Sequence, residues 1–179
     1  AAAAAAMVES VWRDAGPVDV LVNSAGAARR TPFDELTPQA WHDAMQAKFF
    51  AYIHVMDPLV KKMGARGRGA IVNVVGLGGK VATTTHLAGG SANAALMLAS
   101  AGLAHAYAPR GVRINAVNPG LTQTERLNEG IAAEARAQGV APEEVLRRHH
   151  ERLPLRRIAQ PEEIADVVVF LSSARASHV

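Results

Sequence analysis

Cysteine is absent from the 179 residues, which excludes disulfides and thiolate metal sites. An excess of one charge is nearly absent too: 19 Lys and Arg stand against 16 Asp and Glu. The basic pairs Arg29-Arg30, Lys61-Lys62, Arg147-Arg148 and Arg156-Arg157 are scattered with acids between them, so no nucleic-acid partner is expected. No apolar run is read as reaching the ~18 residues of a membrane span, and no basic stretch precedes an apolar segment as in a signal peptide. The expectation is a cytoplasmic protein without a membrane partner. Among the histidines, His149-His150 and His42 with His54 lack a third ligand at a sensible spacing, so no metal site is expected. Tyrosine is limited to Tyr52 and Tyr107.

What is present is concentrated in residues 69–120. Ala70-Ile71-Val72-Asn73-Val74-Val75 is a β-branched run that stops at Gly76-Leu77-Gly78-Gly79, the pattern of a buried strand ending where the backbone turns sharply. Arg113-Ile114-Asn115-Ala116-Val117-Asn118 is a second such run, ended by Pro119-Gly120. Between them, residues 91–107 lack proline and are rich in Ala and Leu, which predicts a helix. Strand, helix, strand gives a right-handed crossover in a parallel sheet, with ligands at the carboxyl ends of the strands.

With 49% hydrophobic and 20% charged residues, the chain reads as a single domain over 1–179. The six alanines before Met7 read either as genuine helix or as positions whose side chains are unidentified. The first helix runs to Ala15 and stops at Gly16-Pro17. Val18-Asp19-Val20-Leu21-Val22 predicts a strand buried on both faces, and Asn23-Ser24-Ala25-Gly26 after it is a small-residue turn open to a ligand. Thr37-Pro38 caps a helix over about 39–63, kinked at Pro58. Its Trp41, Met45, Phe49, Tyr52, Met56 and Leu59 form an apolar stripe that reads as core or subunit interface. Residues 121–152 are polar and helical, broken at Gly139 and Pro142, and read as a mobile lid. A last helix opens at Gln160-Pro161 and turns Ile164, Val167, Val168 and Leu171 one way.

Four motifs stand in order: Asp19-Val20-Leu21-Val22-Asn23-Ser24-Ala25-Gly26, Gly69-Ala70-Ile71-Val72-Asn73-Val74, Gly111-Val112-Arg113-Ile114-Asn115-Ala116-Val117-Asn118-Pro119-Gly120, and Pro154-Leu155-Arg156-Arg157-Ile158-Ala159-Gln160-Pro161-Glu162-Glu163-Ile164-Ala165. Together they resemble the short-chain dehydrogenase/reductase family over nearly the whole chain. The resemblance implies an α/β fold, a Rossmann-type doubly wound parallel sheet flanked by helices. It also implies NAD or NADP as cofactor and hydride transfer to or from a small-molecule alcohol or carbonyl substrate. It further implies a homodimer or homotetramer, formed by pairing the helices at 39–63 and 91–107 with their copies. Family members begin with a strand and a glycine-rich phosphate loop that has no counterpart here. The sequence therefore reads as incomplete at both ends, lacking the first βαβ segment and the last strand. Gly76-Leu77-Gly78-Gly79-Lys80 does not replace that loop, because Val81 stands where a third glycine is required.

By the same resemblance, Asn23, Ala25 and Gly26, with Pro119, Gly120, Thr122 and Thr124, match cofactor-binding positions. The family's catalytic serine, tyrosine, lysine and helix asparagine fall on Gly76, Gly89, Asn93 and Lys48. All four are changed, and the last two look exchanged, which keeps an ammonium in the site. His86, three residues before Gly89, offers an imidazole that can replace a phenol as proton donor; it also reads as an ordinary loop histidine, as Lys48 reads as a solvated helix residue. Two functions follow. One is an NAD(P)-dependent oxidoreductase with rebuilt proton transfer, its catalytic candidates being Lys48, Asn93 and His86. The alternative is a catalytically inactive binding or assembly protein of the same fold.

Overall fold

The computed structural model describes residues 1–26 and 28–179, the side chains of Arg126, Ala133 and Ala137 aside. It comprises two compact units, residues 1–118 with 168–179, and residues 119–167.

In the first unit the three β-branched runs form β1 (Val20–Asn23), β2 (Gly69–Val74) and β3 (Val112–Val117). They pair in parallel in the order β1-β2-β3, with Val22 opposite Val72 and Ile71 opposite Ile114. A parallel pair needs a helical crossover, and the intervening sequence supplies two. Between β1 and β2 run α2 (Pro38–Ala44), a six-residue π-helical segment (Met45–Phe50) and α3 (Ala51–Arg66). Between β2 and β3 runs α4 (Leu87–Tyr107). The α/β, parallel-sheet architecture expected of the sequence is therefore present.

The core lies where α1 (Ala2–Asp14), α3 and α4 meet the sheet. Met56, Val60, Met63 and Ile71 are wholly buried there, joined by Val8, Leu96 and Val112. Each such side chain contributes about 1.5–3 kcal/mol by leaving water.

Several expectations need correcting. β1 is not buried on both faces: Leu21 and Asn23 turn inward, but Val20 and Val22 are 41% and 44% exposed. The strand is at the edge of the sheet, and alternate side chains must point to opposite faces. The long helix is interrupted at Met45–Phe50 rather than at Pro58, which sits inside α3. The π turn advances the helix phase, because its hydrogen bonds close over five residues instead of four. That explains why the apolar stripe divides, with Tyr52, Met56 and Leu59 buried while Trp41 is exposed. In the last helix, α7 (Pro161–Ser172), Val168 is buried but Val167 is exposed.

A further correction concerns hydrophobic length. Leu87–Arg110 is long and apolar enough to cross a membrane by length and composition. In this fold Ala92, Leu96 and Ser100 of that helix pack into the unit's interior.

The second unit is built around α5 (Glu125–Gln138) and α6 (Pro142–Arg152). Thr124 caps α5 by accepting from Leu127 N at 3.3 Å, and Gly139 ends it at φ +65°, a conformation glycine adopts without a Cβ penalty. Ile131, Ala135 and Val145 form the small core.

Candidate functional site

The carboxyl ends of β1 and β2 are held in register by a buried side-chain relay. Asn23 Nδ2 donates to Asn73 Oδ1 at 2.8 Å, Asn73 Nδ2 donates to Ser100 Oγ at 2.9 Å, and Ser100 Oγ donates to Leu96 O at 2.7 Å. All three side chains are buried. Asn23, expected to face a cofactor, thus directs its amide inward and fixes the strand ends. Asn73 and Ser100 were not singled out in the sequence; an asparagine in the middle of a β-branched run was the available signal.

Beyond β1 the backbone folds back on the helix layer. Ala25 and Gly26 are exposed, yet Gly26 (φ +94°) leaves no space for a side chain, because a Cβ there would overlap the carbonyl oxygen of Ala47. This contact presses the loop onto the π segment that carries Lys48. Lys48 is half-buried rather than on a solvated face, with Nζ 3.5 Å from Val75 O at the end of β2. One turn on, Tyr52 donates to Val74 O at 2.7 Å, and burial pushes its hydroxyl up to about 12. A phenol so placed is a structural donor and stays protonated at neutral pH.

After β2 the chain passes Gly76 (φ +113°), a 3-10 turn at Leu77–Gly79, and enters α4 at Leu87, four residues earlier than expected. Gly89 and Gly90 therefore belong to its first turn, and Asn93 follows one turn later. Asn93 is 2% exposed; Nδ2 lies 3.5 Å from Gly76 O, while Oδ1 is buried without a partner among the described residues. Lys48 makes no hydrogen bond to this oxygen. His86 packs against two glycines: a Cβ at Gly78 would stand 2.9 Å from its Cδ2, and one at Gly89 would stand 2.8 Å from its Nδ1 and 2.8 Å from the Ala28 Cβ. Its backbone is fixed as well, since His86 N donates to Thr83 O at 3.1 Å and Gly90 N donates to His86 O at 2.7 Å.

At the end of β3, Asn118 Oδ1 is a second buried acceptor without a partner among the described residues. It was missed as a candidate although it precedes Pro119-Gly120. Pro119, Gly120, Thr122 and Thr124 belong to the second unit. There the hydroxyls serve local structure: Thr122 donates to Gly120 O at 3.4 Å, and Thr124 donates to Thr122 O at 3.4 Å besides capping α5. The structure thus brings Lys48, Asn93, His86, Gly26, Gly76 and Gly89 to one rim of the first unit.

A nucleotide cofactor of the nicotinamide type needs hydroxyl acceptors, a cation and bare backbone on which to lie. Asn93 Oδ1 answers the first need, Lys48 the second, and the side-chain-free Gly26 and Gly76 the third. The residues present fit the ribose and nicotinamide part of such a group.

The chain matches, over residues 1–179, the family described as Enoyl-(Acyl carrier protein) reductase. It is 32% identical over 173 residues to the acetoacetyl-CoA reductase of Rhizobium meliloti, covering 96% of this chain and 67% of that one. It is 33% identical over 172 residues to the gluconate 5-dehydrogenase of Gluconobacter oxydans, covering 96% and 64% respectively. The chain therefore spans about two thirds of the length of these relatives. Among solved structures it resembles gluconate 5-dehydrogenase from Burkholderia cenocepacia in complex with NADP and tartrate, with a TM-score of 0.88, 27% identity, and coverage of 99% of this chain and 66% of that one. It also resembles L-sorbose reductase from Gluconobacter frateurii complexed with NADPH and L-sorbose, with a TM-score of 0.87, 31% identity, and coverage of 98% and 67%.

Proposed function

The chain belongs to the short-chain dehydrogenase/reductase family, and on that premise we propose that it serves an oxidoreductase using NAD or NADP with a small alcohol or carbonyl substrate. The observation that carries the reading is the buried, unpartnered Asn93 Oδ1 beside Gly76. Leaving such an acceptor unpaired costs about 1–3 kcal/mol, a cost that an incoming hydroxyl removes. In this reading Asn93 accepts from a cofactor hydroxyl, the Lys48 ammonium holds an oxygen next to it, and Ala25 and Gly26 give a surface without side-chain obstruction. By family resemblance, Pro119, Gly120, Thr122 and Thr124 are cofactor-binding positions carried by the second unit. The cofactor, when bound, supplies the hydride; the protein orients the carbonyl, keeps water away and manages the proton on its oxygen.

The site is divergent in the same reading, with Gly76, Gly89, Asn93 and Lys48 at the family's serine, tyrosine, lysine and asparagine positions. The bare glycines at two of those positions favour a second reading, a binding or assembly protein that turns nothing over. Cytoplasmic location and assembly as a homodimer or homotetramer complete the proposal; sedimentation checks the assembly. Titration of the full chain with NADH and NADPH, followed by nicotinamide fluorescence, tests the central claim. Saturable binding of either one is expected, with oxidation of the bound cofactor on adding 5-keto-D-gluconate or acetoacetyl-CoA, substrates suggested by the names of relatives. No binding of either cofactor refutes the oxidoreductase reading, and binding without turnover of a broad carbonyl panel supports the inactive one.

A further inference from the structure

We infer that His86 is the proton-transfer group of this site, its imidazole lying against two side-chain-free positions, Gly78 in the 3-10 turn and Gly89 in the first turn of α4. The inference rests on the oxidoreductase reading. Reduction of a carbonyl requires a proton for the oxygen, and Tyr52 does not supply it, since its hydroxyl is committed to Val74 O. An imidazole is the side chain that changes charge between about pH 5 and 8. Three features hold this one in place. The two glycines give the ring faces and edges to lie against, the Ala28 Cβ shares its space at Gly89, and its own carbonyl anchors the first turn of α4 through Gly90 N. The same ring is linked to the rest of the rim through shared neighbours, because the Asn93 amide stands 3.4 Å from the Cβ position of both Gly76 and Gly78.

Gly89 is consistent with this role. A Cβ there would meet the imidazole where it now stands, so the bare glycine at 89 leaves the ring its place. The step balances: the carbonyl carbon gains hydrogen with two electrons from the reduced cofactor, and the oxygen takes a proton from the His86 imidazolium. The alcohol leaves with the cofactor oxidised, and the neutral imidazole regains its proton from water.

The test does not need a substrate. Nicotinamide carries a positive charge when oxidised and none when reduced, so a protonated imidazole beside it opposes the oxidised form alone. The affinity ratio of NAD+ to NADH (or of the phosphorylated pair) should rise about tenfold from about pH 5.5 to 8.5, the effect of displacing a proton affinity by one pH unit. Charged groups on the elements packed around His86 are Lys80 after the 3-10 turn, Arg29 and Arg30 beyond Ala28, Lys48 on the π segment, and Glu35 and Asp43, which line the cavity that Ala28 and Ala88 share. Side chains of these types ordinarily titrate outside that window. In His86→Gln and His86→Asn the ratio should be flat while NADH still binds, and any turnover should fall by about 10²–10⁴. A parent protein that binds both cofactors with a pH-independent ratio, or variants that keep its slope, overturn the role of His86 and leave the oxidoreductase reading standing. Failure of the parent to bind either cofactor overturns both.

Discussion

In the α5–α6 hairpin, charged groups find partners a turn away or on the facing helix. Glu144 accepts from Arg147 at 2.8 Å and from Arg148 at 2.8 Å, Arg147 also reaches Glu151, and Glu134 joins His149 at 3.1 Å and Gln138 at 2.9 Å. At the strand ends of the first unit the polar groups are buried and some stay unpaired: Asn93 Oδ1 and Asn118 Oδ1 have no partner among the described residues. Exposed local pairs each contribute little, because water competes for every charge. A buried acceptor without a donor costs about 1–3 kcal/mol. The hairpin therefore gains little and loses little, whereas the rim carries an unfavourable term that a ligand can relieve. Arg66 shows that the sign is not unique to the rim, since its Nε and Nη1 are also unpartnered although Nη2 reaches Asp19. What sets the rim apart is the coincidence of an orphaned acceptor, a half-buried ammonium and glycines at positive φ.

The largest effect should come from the rim's backbone. Gly26→Ala must place a Cβ at φ +94° and against the carbonyl oxygen of Ala47. Such conformations cost about 1–3 kcal/mol each, and the overlap adds to that, so urea unfolding should lose about 3 kcal/mol, with NADH binding weakened. Unfolding within about 0.5 kcal/mol of the parent would show that the loop does not depend on this approach, and the contrast between rim and hairpin would lose its backbone component.

Asn93→Leu sharpens the contrast with a smaller effect of opposite sign. Removing the orphaned carbonyl oxygen while filling the same volume should raise stability by about 1 kcal/mol, and cofactor affinity should fall. Stability is read by urea unfolding and affinity by nicotinamide fluorescence. A loss of stability comparable to that of Gly26→Ala, with affinity unchanged, would make Asn93 a structural residue like Asn73.

Much of this was readable beforehand, for physical reasons. β-branched runs bounded by glycine marked β2 and β3, and Thr37-Pro38 marked the start of α2 through a cap observed at 3.2 Å from Ala40 N. What was not readable depends on contacts distant in sequence. The exposure of Val20 and Val22 follows from the strand's place at the edge, and the π segment at 45–50 leaves no trace in composition. Lys48, Asn93 and His86 were named from sequence, but their surroundings were not. That the Asn93 amide lies beside Gly76 and that Asn23 points inward to Asn73 require residues 17 and 50 positions apart to meet; that His86 lies against Gly89 is a local contact, set by the start of α4 at Leu87. Thr122 and Thr124 illustrate the reverse: their hydroxyls are engaged locally by Gly120, Thr122 and Leu127, which a sequence pattern tied to a cofactor does not reveal.

The smallest effect belongs to the hairpin. Hydrogen bonds from Arg147 and Arg148 hold the Glu144 carboxyl down at about 2, below its ordinary 4.5. Because the folded value is depressed, the stabilising contribution is present above about pH 4.5 and is lost as pH falls toward 2. Glu144→Gln should therefore lower the thermal midpoint slightly at pH 7, by less than either rim variant changes it, and the difference from the parent should vanish at about pH 2. Salt should shrink it too, since exposed pairs are screened within about 3 Å at 1 M ionic strength. If Glu144→Gln instead destabilises the protein as much as Gly26→Ala, the pairs in the hairpin act as a coupled network rather than as separate surface contacts. The contrast with the rim would then lie in where the polar energy is held and not in how much of it there is.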